Sequence, residues 1–143
     1  MKKGSGGNWW KTYQDKDEMV LSGGGVGFMV ADCLFCRIIS QEIPSDIIYE
    51  DEKVLAFRDI NPQAPVHVLV IPKKHIPTIA DLEDRDGELM GYIHLVIRDL
   101  AEKEGIAEKG YRVVVNCRES AAQSVFHVHF HLLGGRSLGW PPG

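Results

Sequence analysis

The chain has 143 residues, with 16 basic residues against 20 acidic ones, which gives a formal net charge of −4 at pH 7. That length suits one domain with its own core. The acidic balance argues against nucleic acid as a partner, because phosphate backbones select clustered lysine and arginine. No apolar run approaches the ~20 residues of a membrane span, so no membrane partner is expected. Three cysteines are too few for a disulfide framework, which indicates a reducing compartment and a cytoplasmic location.

Residues 1–31 differ in composition from the rest of the chain. They are rich in glycine, including Gly23-Gly24-Gly25, and show no sustained periodicity. Met29 is a candidate natural start, so we interpret residues 1–31 as a flexible extension or a leftover of cloning. The folded domain is predicted to span residues 32–143.

The rest of the chain alternates short apolar runs with turn signals. A short helix is predicted over 33–40 and a long one over 81–104, where Leu89, Ile93 and Val96 recur at helical spacing and Gly105 follows. Strands are predicted over 47–49, 54–58, 66–71, 111–116 and 125–133. This order predicts an α+β domain, in which a five-stranded, mostly antiparallel sheet carries one long helix and a short N-terminal helix.

The most informative stretch is 127–131, where His127, His129 and His131 alternate with Val128 and Phe130. Alternation at period two is typical of a β-strand, whose residues i, i+2 and i+4 share one face. Same-face neighbours then lie roughly 6–7 Å apart. Three imidazoles on one face are poor material for a hydrophobic core, and they indicate metal binding, nucleophilic catalysis or proton transfer. The alternative is an edge strand with a solvated histidine face.

The triad and several flanking segments resemble the histidine triad superfamily, in particular its Hint branch of purine nucleoside phosphoramidases. The resemblance covers residues 32–143 nearly end to end. It implies a HIT-like fold whose sheet extends across a homodimer. The segments that carry it are His127-Val128-His129-Phe130-His131, Ile71-Pro72-Lys73-Lys74-His75 and the terminal Trp140-Pro141-Pro142-Gly143.

The resemblance implies a hydrolase that cleaves the P–N bond of purine nucleoside 5′-phosphoramidates. His129 matches the nucleophile that forms a nucleotidyl-histidine, and a neutral imidazole suits that task at pH 7. His131 and Ser124 match residues that assist at the phosphate and the leaving amine. For Ser124, ordinary turn chemistry before a strand is the alternative.

The same resemblance implies a site for an AMP- or GMP-type purine nucleotide. Asp59 matches a carboxylate that accepts both ribose hydroxyls, although an aspartate at a strand end also commonly caps a turn. Phe35, Ile38, Phe57 and Ile60 match apolar positions that surround the purine, but each of them taken singly also fits an ordinary core residue. The remaining residues that match nucleotide-binding positions are Phe35, Ile38, Phe57, Ile60, Asn116, Ala122 and Gln123. His67 is interpreted as a core histidine that could support the site.

Cys33 and Cys36 form a C-x₂-C pair, the usual spacing for half of a tetrahedral zinc site. The spacing alone also fits a redox pair or plain packing. Related bacterial proteins complete the site with two histidines that match His75 and His127. The resemblance therefore implies a closed, structural Cys₂His₂ zinc site and no organic cofactor.

One loop departs from the family pattern. Ala121-Ala122-Gln123-Ser124 stands where glycine usually precedes Gln-Ser, and alanine narrows the conformations open to that loop. Lower activity or altered substrate preference would follow. In the family, the C-terminal segment of each protomer reaches the partner's site, so the Trp140 segment is expected to do so here.

Three other functions stay open. The first is dinucleoside polyphosphate hydrolysis, another activity of the superfamily. The second is a zinc-stabilised nucleotide-binding or interaction module with little turnover. The third is a metal-binding protein whose ligands are the triad histidines themselves.

Overall fold

The computed structural model describes residues 32–143, so the predicted flexible leader lies outside the described residues. The helices and strands follow the predicted order: α1 (Leu34–Ile39), β1 (Ile47–Glu50), β2 (Val54–Arg58), β3 (Val66–Pro72), α2 (Gly87–Lys103), β4 (Tyr111–Val115) and β5 (Phe130–Gly134). In this part of the chain, no helix is long and apolar enough to cross a membrane.

The five strands form one sheet in the order β1-β2-β3-β5-β4, and every neighbouring pair is antiparallel. The predicted α+β class is therefore confirmed. The last strand lies inside the sheet, between β3 and β4, where Leu69 pairs with His131. The alternative of a solvated edge strand for the histidines is wrong.

Each face of the sheet packs against a helix. Helix α2 turns Ile93, Val96 and Leu100 towards one face, where their helical spacing forms a continuous apolar stripe. On the other face lies α1, which buries Leu34, Phe35 and Ile38. The functional residues described below lie on this α1 face.

Helix α2 begins at Gly87, later than the predicted 81–104. The acidic residues before it form two short 3₁₀ turns, Ile79–Asp81 and Asp84–Asp86. The Thr78 hydroxyl accepts from the N–H of Ala80, and Asp81 accepts from the N–H of Thr78. These contacts form a capping box that satisfies N–H groups at the start of the first turn, and a second box with Glu83 and Asp86 begins the next turn.

Strand β5 begins at Phe130, so the predicted strand over 125–133 is five residues too long at its start. The residues before it bond outside the ladder: the N–H of Val128 donates to Ile76 O at 2.7 Å. The alternation of faces persists, because Val128, Phe130 and Leu132 pack in the α2 core. His127 and His129 are buried on the other side, with 0% and 3% of their surface exposed.

Candidate active site and metal centre

A cavity of about 240 Å³ opens on the α1 face. Helix α1 supplies one wall, and the other walls come from the end of β2 and the loop after it, from β3, from the start of β5 and from the segment before β5. Phe35 meets Phe57 edge to face with ring centroids 5.5 Å apart. Mostly apolar walls with a few convergent polar groups are typical of a site for a small organic ligand. The predicted site residues that line the cavity are Phe35, Ile38, Phe57, Asp59, Ile60, Ser124, His129 and His131.

His129 is held in one tautomer by the main chain. Its Nδ1 lies 2.8 Å from the carbonyl oxygen of His127, which accepts only, so Nδ1 carries the proton. The lone pair is then on Nε2. Burial lowers the pKa of His129 below its ordinary value, which keeps the ring neutral at pH 7. Phe35 packs edge to face on this ring at 5.1 Å. The result is a neutral, oriented imidazole with a nucleophilic nitrogen.

A chain of hydrogen bonds fixes the tautomer of His131. The N–H of Gln63 donates to His67 Nδ1 at 3.0 Å, so His67 carries its proton on Nε2. That nitrogen lies 2.9 Å from His131 Nδ1 and 3.4 Å from Asp59 Oδ2. His131 Nδ1 therefore accepts, and its proton is on Nε2. Burial, together with His129 and His67, lowers the pKa of His131 to about 3.

The Nε2 of His131 is buried and has no partner among the residues that the structure describes. A buried donor without an acceptor typically costs about 1–3 kcal/mol. A ligand with an acceptor oxygen would remove that cost. His131 thus offers a neutral N–H donor beside the lone pair of His129.

Asp59 has two roles in this structure. Its Oδ1 accepts from the N–H of Asn61 at 2.8 Å, which is the turn-capping role expected of an aspartate at a strand end. Its Oδ2 faces His67, and the side chain lines the cavity. Asp59, His67 and His131 are also close enough to share a metal ion. Such an ion would need the lone pair of His67 Nε2, but the hydrogen bond from Gln63 places the His67 proton on that nitrogen. The cluster is therefore a hydrogen-bond chain.

Three predicted nucleotide-binding residues do not line the cavity: Asn116, Ala122 and Gln123. The Gln123 side chain is buried, and its Oε1 accepts from the N–H of Arg118. Its amide donates to the carbonyls of Pro77 and Val125. These hydrogen bonds hold the loop against the rest of the fold. They engage both the carbonyl oxygen and the amide group of Gln123, so its side chain binds the protein and not a ligand. Ala122 adopts φ 60° and ψ 38°, the left-handed conformation that glycine favours.

His67 is the main site residue that the sequence interpretation undervalued. It is 6% exposed and connects the 61–65 loop to His131. From the sequence it was interpreted as a core histidine that could support the site. The signal that could have found it was the pairing of β3 with β5, which the sequence does not specify.

A second cluster lies beside the nucleophile, where Cys33, Cys36, His75 and His127 converge. Their ligand atoms all lie within 4.8 Å of one another. The Nδ1 atoms of His75 and His127 are 3.2 Å apart, and Cys36 Sγ is 3.3 Å from His75 Nδ1. Cys33 Sγ and Cys36 Sγ lie 3.5 and 3.6 Å from His127 Nδ1. A zinc tetrahedron with ordinary bond lengths has N–N edges of about 3.3 Å and N–S edges of about 3.6 Å. The residues fit a zinc ion.

The chemistry of the donors agrees with that geometry. His127 Nε2 donates to the carbonyl of Pro72 at 2.7 Å, which leaves the Nδ1 lone pair facing the cluster. The hydrogen bond with Cys36 and burial raise the pKa of the Cys33 thiol, and a bound cation would favour its thiolate. His129 and His131 are not part of this cluster. The alternative in which the whole triad forms the metal cage is therefore not supported by the geometry.

Comparison with known proteins agrees with the site. The HIT domain family model matches residues 40–138. The chain is 55% identical over 112 residues to the 14 kDa zinc-binding protein of Zea mays, covering 77% of this chain and 87% of that relative. It is 50% identical over 111 residues to the purine nucleoside phosphoramidase of Escherichia coli K12, covering 78% of this chain and 93% of that enzyme.

The fold has solved relatives as well. A HIT family hydrolase from Legionella pneumophila Philadelphia 1 superimposes with a TM-score of 0.77 at 54% identity, covering 78% of this chain and 99% of that structure. The strand order, the histidine cluster and these matches agree, and the chain belongs to the HIT domain family.

Proposed function

We propose that this protein hydrolyses purine nucleoside 5′-phosphoramidates through a nucleotidyl-histidine on His129. The observation that supports this most directly is the pairing of two complementary nitrogens in one cavity. His129 presents a lone pair on Nε2, and His131 presents an N–H donor on Nε2 without a partner in the described chain. Attack on phosphorus needs a nucleophile and a donor to the phosphoryl oxygens.

In the first step, His129 Nε2 forms a bond to the α-phosphorus and the P–N bond to the leaving amine breaks. The amine takes a proton, and the proposed donor is the hydroxyl of Ser124, which lines the cavity. In the second step, water attacks phosphorus, the P–N bond to His129 breaks, and a proton from the water returns to the hydroxyl donor, which releases the nucleoside monophosphate and neutral His129. His131 donates to a phosphoryl oxygen throughout, and its low pKa keeps it neutral.

The rest of the cavity suits a nucleoside. Phe35, Ile38 and Phe57 form an apolar slot for the base, and Asp59 places a carboxylate at the edge of the cavity where it would accept ribose hydroxyls. The E. coli relative at 50% identity carries the name of a purine nucleoside phosphoramidase, which supports the same substrate class.

We further propose that Cys33, Cys36, His75 and His127 hold a structural zinc ion. The bound ion would cross-link α1 to the segment that carries the nucleophile, with no open position for catalysis. Because the carbonyl of His127 accepts from His129, the cage residues also position the nucleophile. The Zea mays relative is named a zinc-binding protein, which supports this choice of metal.

A homodimer is part of the proposal. Strand β4 is at the edge of the sheet, and an exposed edge is commonly covered by another strand. Trp140 is 83% exposed in the single chain, which is unusual for so large an apolar side chain. Sedimentation equilibrium measures the assembly directly, and a monomer at micromolar concentration would contradict this part.

The function is tested by steady-state hydrolysis of adenosine 5′-phosphoramidate, with AMP binding measured by calorimetry. His129→Ala should abolish turnover and retain AMP binding. The matched control is His94→Ala, which removes an exposed imidazole outside the cavity and should leave turnover unchanged. Equal turnover in wild type and His129→Ala would refute the nucleophile.

The same experiment separates the alternatives. Wild-type protein that binds AMP without turnover would be a nucleotide-binding module, and the enzyme proposal would be dropped. Faster cleavage of a dinucleoside tetraphosphate than of the phosphoramidate would indicate the polyphosphate hydrolase activity. Metal analysis of His129→Ala should show unchanged zinc, because His129 lies outside the cage.

A further inference from the structure

Three polar side chains of the histidine cavity come from three adjacent strands of the sheet. Asp59 directly follows β2, His67 lies in β3 and His131 lies in β5. The N–H of Asp59 donates to the carbonyl of His67 at 3.0 Å, which holds the two residues side by side. All three side chains line the cavity, and one polar atom of each lies within 4.8 Å of the others. One imidazole therefore connects the carboxylate of Asp59 to the N–H donor of His131.

His67 has a single ring proton, and two acceptors lie close to it. Its Nδ1 accepts from the N–H of Gln63, so the proton is on Nε2. That nitrogen is 2.9 Å from His131 Nδ1 and 3.4 Å from Asp59 Oδ2. Burial lowers the pKa of His67 despite the opposing charge of Asp59, so the ring is neutral at pH 7 and has no second proton to donate. The two distances indicate a bond to His131, with the carboxylate as a competing acceptor.

Little water reaches this contact, because the His67 side chain is 4% exposed and that of Asp59 is 18% exposed. Electrostatic attraction is stronger where water is excluded. The charge of Asp59 therefore draws the Nε2 proton of His67 and weakens its hydrogen bond to His131. Hydroxyl groups that donate to Asp59 would reduce this attraction, and the bond from His67 to His131 would strengthen.

A stronger bond to His131 has an effect on the far side of its ring. Hydrogen bonds in a chain polarise one another, so an imidazole that accepts a stronger bond at Nδ1 is a stronger donor at Nε2. The Nε2 of His131 is the buried donor that has no partner in the described chain. Occupancy of Asp59 would therefore reach the atom that faces the phosphoryl oxygens in the proposed reaction.

We propose that His67 is a positioning residue that couples ribose hydroxyls at Asp59 to the N–H donor of His131. The inference rests on the proposed function, which places ribose at Asp59. It adds that the hydroxyls act on the rate of phosphoryl transfer as well as on binding, so ribonucleotide substrates are favoured over dideoxy analogues even at saturation. A carboxylate that only held the ribose would change KM and leave kcat unaltered.

The coupling itself is measured without turnover, by nuclear magnetic resonance of the full-length protein with ¹⁵N-labelled histidine. Saturating adenosine should move the Nε2 proton of His67 downfield, because its hydrogen bond to His131 strengthens. The matched ligand is 2′,3′-dideoxyadenosine, which lacks the ribose hydroxyls and should leave that resonance near its unliganded position. The spectrum of His67→Leu assigns the resonance, and calorimetry shows that each ligand is saturating.

Asp59→Asn gives a second test in the same spectra. The amide keeps the shape of the side chain and can still accept from the N–H of Asn61, but it has no charge to attract the His67 proton. That proton should therefore be at the downfield position without any ligand. The matched control is Asp46→Asn, which removes a carboxylate that does not line the cavity and should leave the resonance where wild type has it.

Steady-state hydrolysis tests the consequence for the reaction. In wild type, kcat for adenosine 5′-phosphoramidate should exceed kcat for its 2′,3′-dideoxy analogue by about fivefold, the effect of one ordinary hydrogen bond. His67→Leu should lower both values and reduce their ratio to less than about twofold, because leucine has no proton to donate. His67→Gln retains an N–H donor and should restore part of the ratio, which separates the positioning role from a general loss of structure.

Three results would overturn the inference: no movement of the His67 proton with adenosine, the same movement with dideoxyadenosine, or an equal kcat ratio in wild type and His67→Leu. Failure of adenosine to bind would remove the ribose position and this inference together. The two proposals fail separately in the remaining cases. A ribose-dependent movement in a protein without turnover would support the coupling and refute the hydrolysis, and turnover without such a movement would do the reverse.

Discussion

Replacing Ala122 by glycine should stabilise this protein. Ala122 has φ 60° and ψ 38°, and an L-residue with a Cβ typically loses about 1–2 kcal/mol in the left-handed region. Glycine removes that strain. Glycine also increases the conformational entropy of the unfolded chain, and this offsets about 0.4–1 kcal/mol of the stabilisation gained by removing the strain. The expected net gain in the free energy of unfolding is about 0.5–1 kcal/mol.

The neighbouring alanine is a matched control. Ala121 ends the 3₁₀ turn Glu119–Ala121 and does not have a positive φ. Ala121→Gly should therefore destabilise by roughly 0.5–1 kcal/mol, through the unfolded-state entropy alone. The two substitutions are chemically identical and one residue apart. Opposite signs of their changes in the free energy of unfolding would therefore be due to the backbone conformation.

Urea unfolding followed by far-ultraviolet circular dichroism measures both free energies, and thermal melts should show Ala122→Gly raised by about 2–4 °C. If Ala122→Gly destabilises the protein as much as Ala121→Gly does, the left-handed conformation is not strained and the reasoning fails. The variant also restores the glycine of the family pattern, so its rate of phosphoramidate hydrolysis shows whether the alanine lowers turnover.

Other predictions concern the metal cage, the histidines and the α2 face. Chelation, or the substitution Cys36→Ser, should remove zinc. With free zinc at 100–1,000 times its dissociation constant, this loss should lower the free energy of unfolding by about 3–4 kcal/mol. A Cys36→Ser variant with unchanged zinc content and melting temperature would contradict the cage. Because the folded-state pKa of His131 is about 3 and its unfolded value is near 6.5, its contribution to stability is complete above pH 6.5 and is lost as pH falls towards 3. The stability difference between wild type and His131→Asn should thus shrink by about 2 kcal/mol from pH 7.5 to 5 in urea titrations, and a pH-independent difference would refute the buried neutral state. Asp51 accepts a hydrogen bond from the Tyr92 hydroxyl, so Asp51→Asn should lower the free energy of unfolding by about 1–2 kcal/mol. The control Asp99→Asn, on the surface, should lower it by less than ~0.5 kcal/mol. Equal urea midpoints for the two variants would show that the Asp51 contacts contribute nothing.

The sequence determined the classes of element and their order, because these depend on local periodicity. Apolar residues at helical spacing placed α2, and the alternation of histidine with apolar residues assigned the two faces of the last strand. The histidines and the C-x₂-C pair also marked the residues that converge in the structure, since three imidazoles at period two have few structural uses. The ends of elements were less accurate, because caps and off-ladder bonds set them.

The tertiary structure alone decided which nitrogen of each histidine is available. The tautomer of His129 depends on the His127 carbonyl, and that of His131 depends on His67 in a strand 64 residues earlier. It also decided that Gln123 faces the protein interior and that Ala122 is left-handed. Each of these features depends on a contact between distant segments, and a pattern of neighbouring residues carries no information about such contacts.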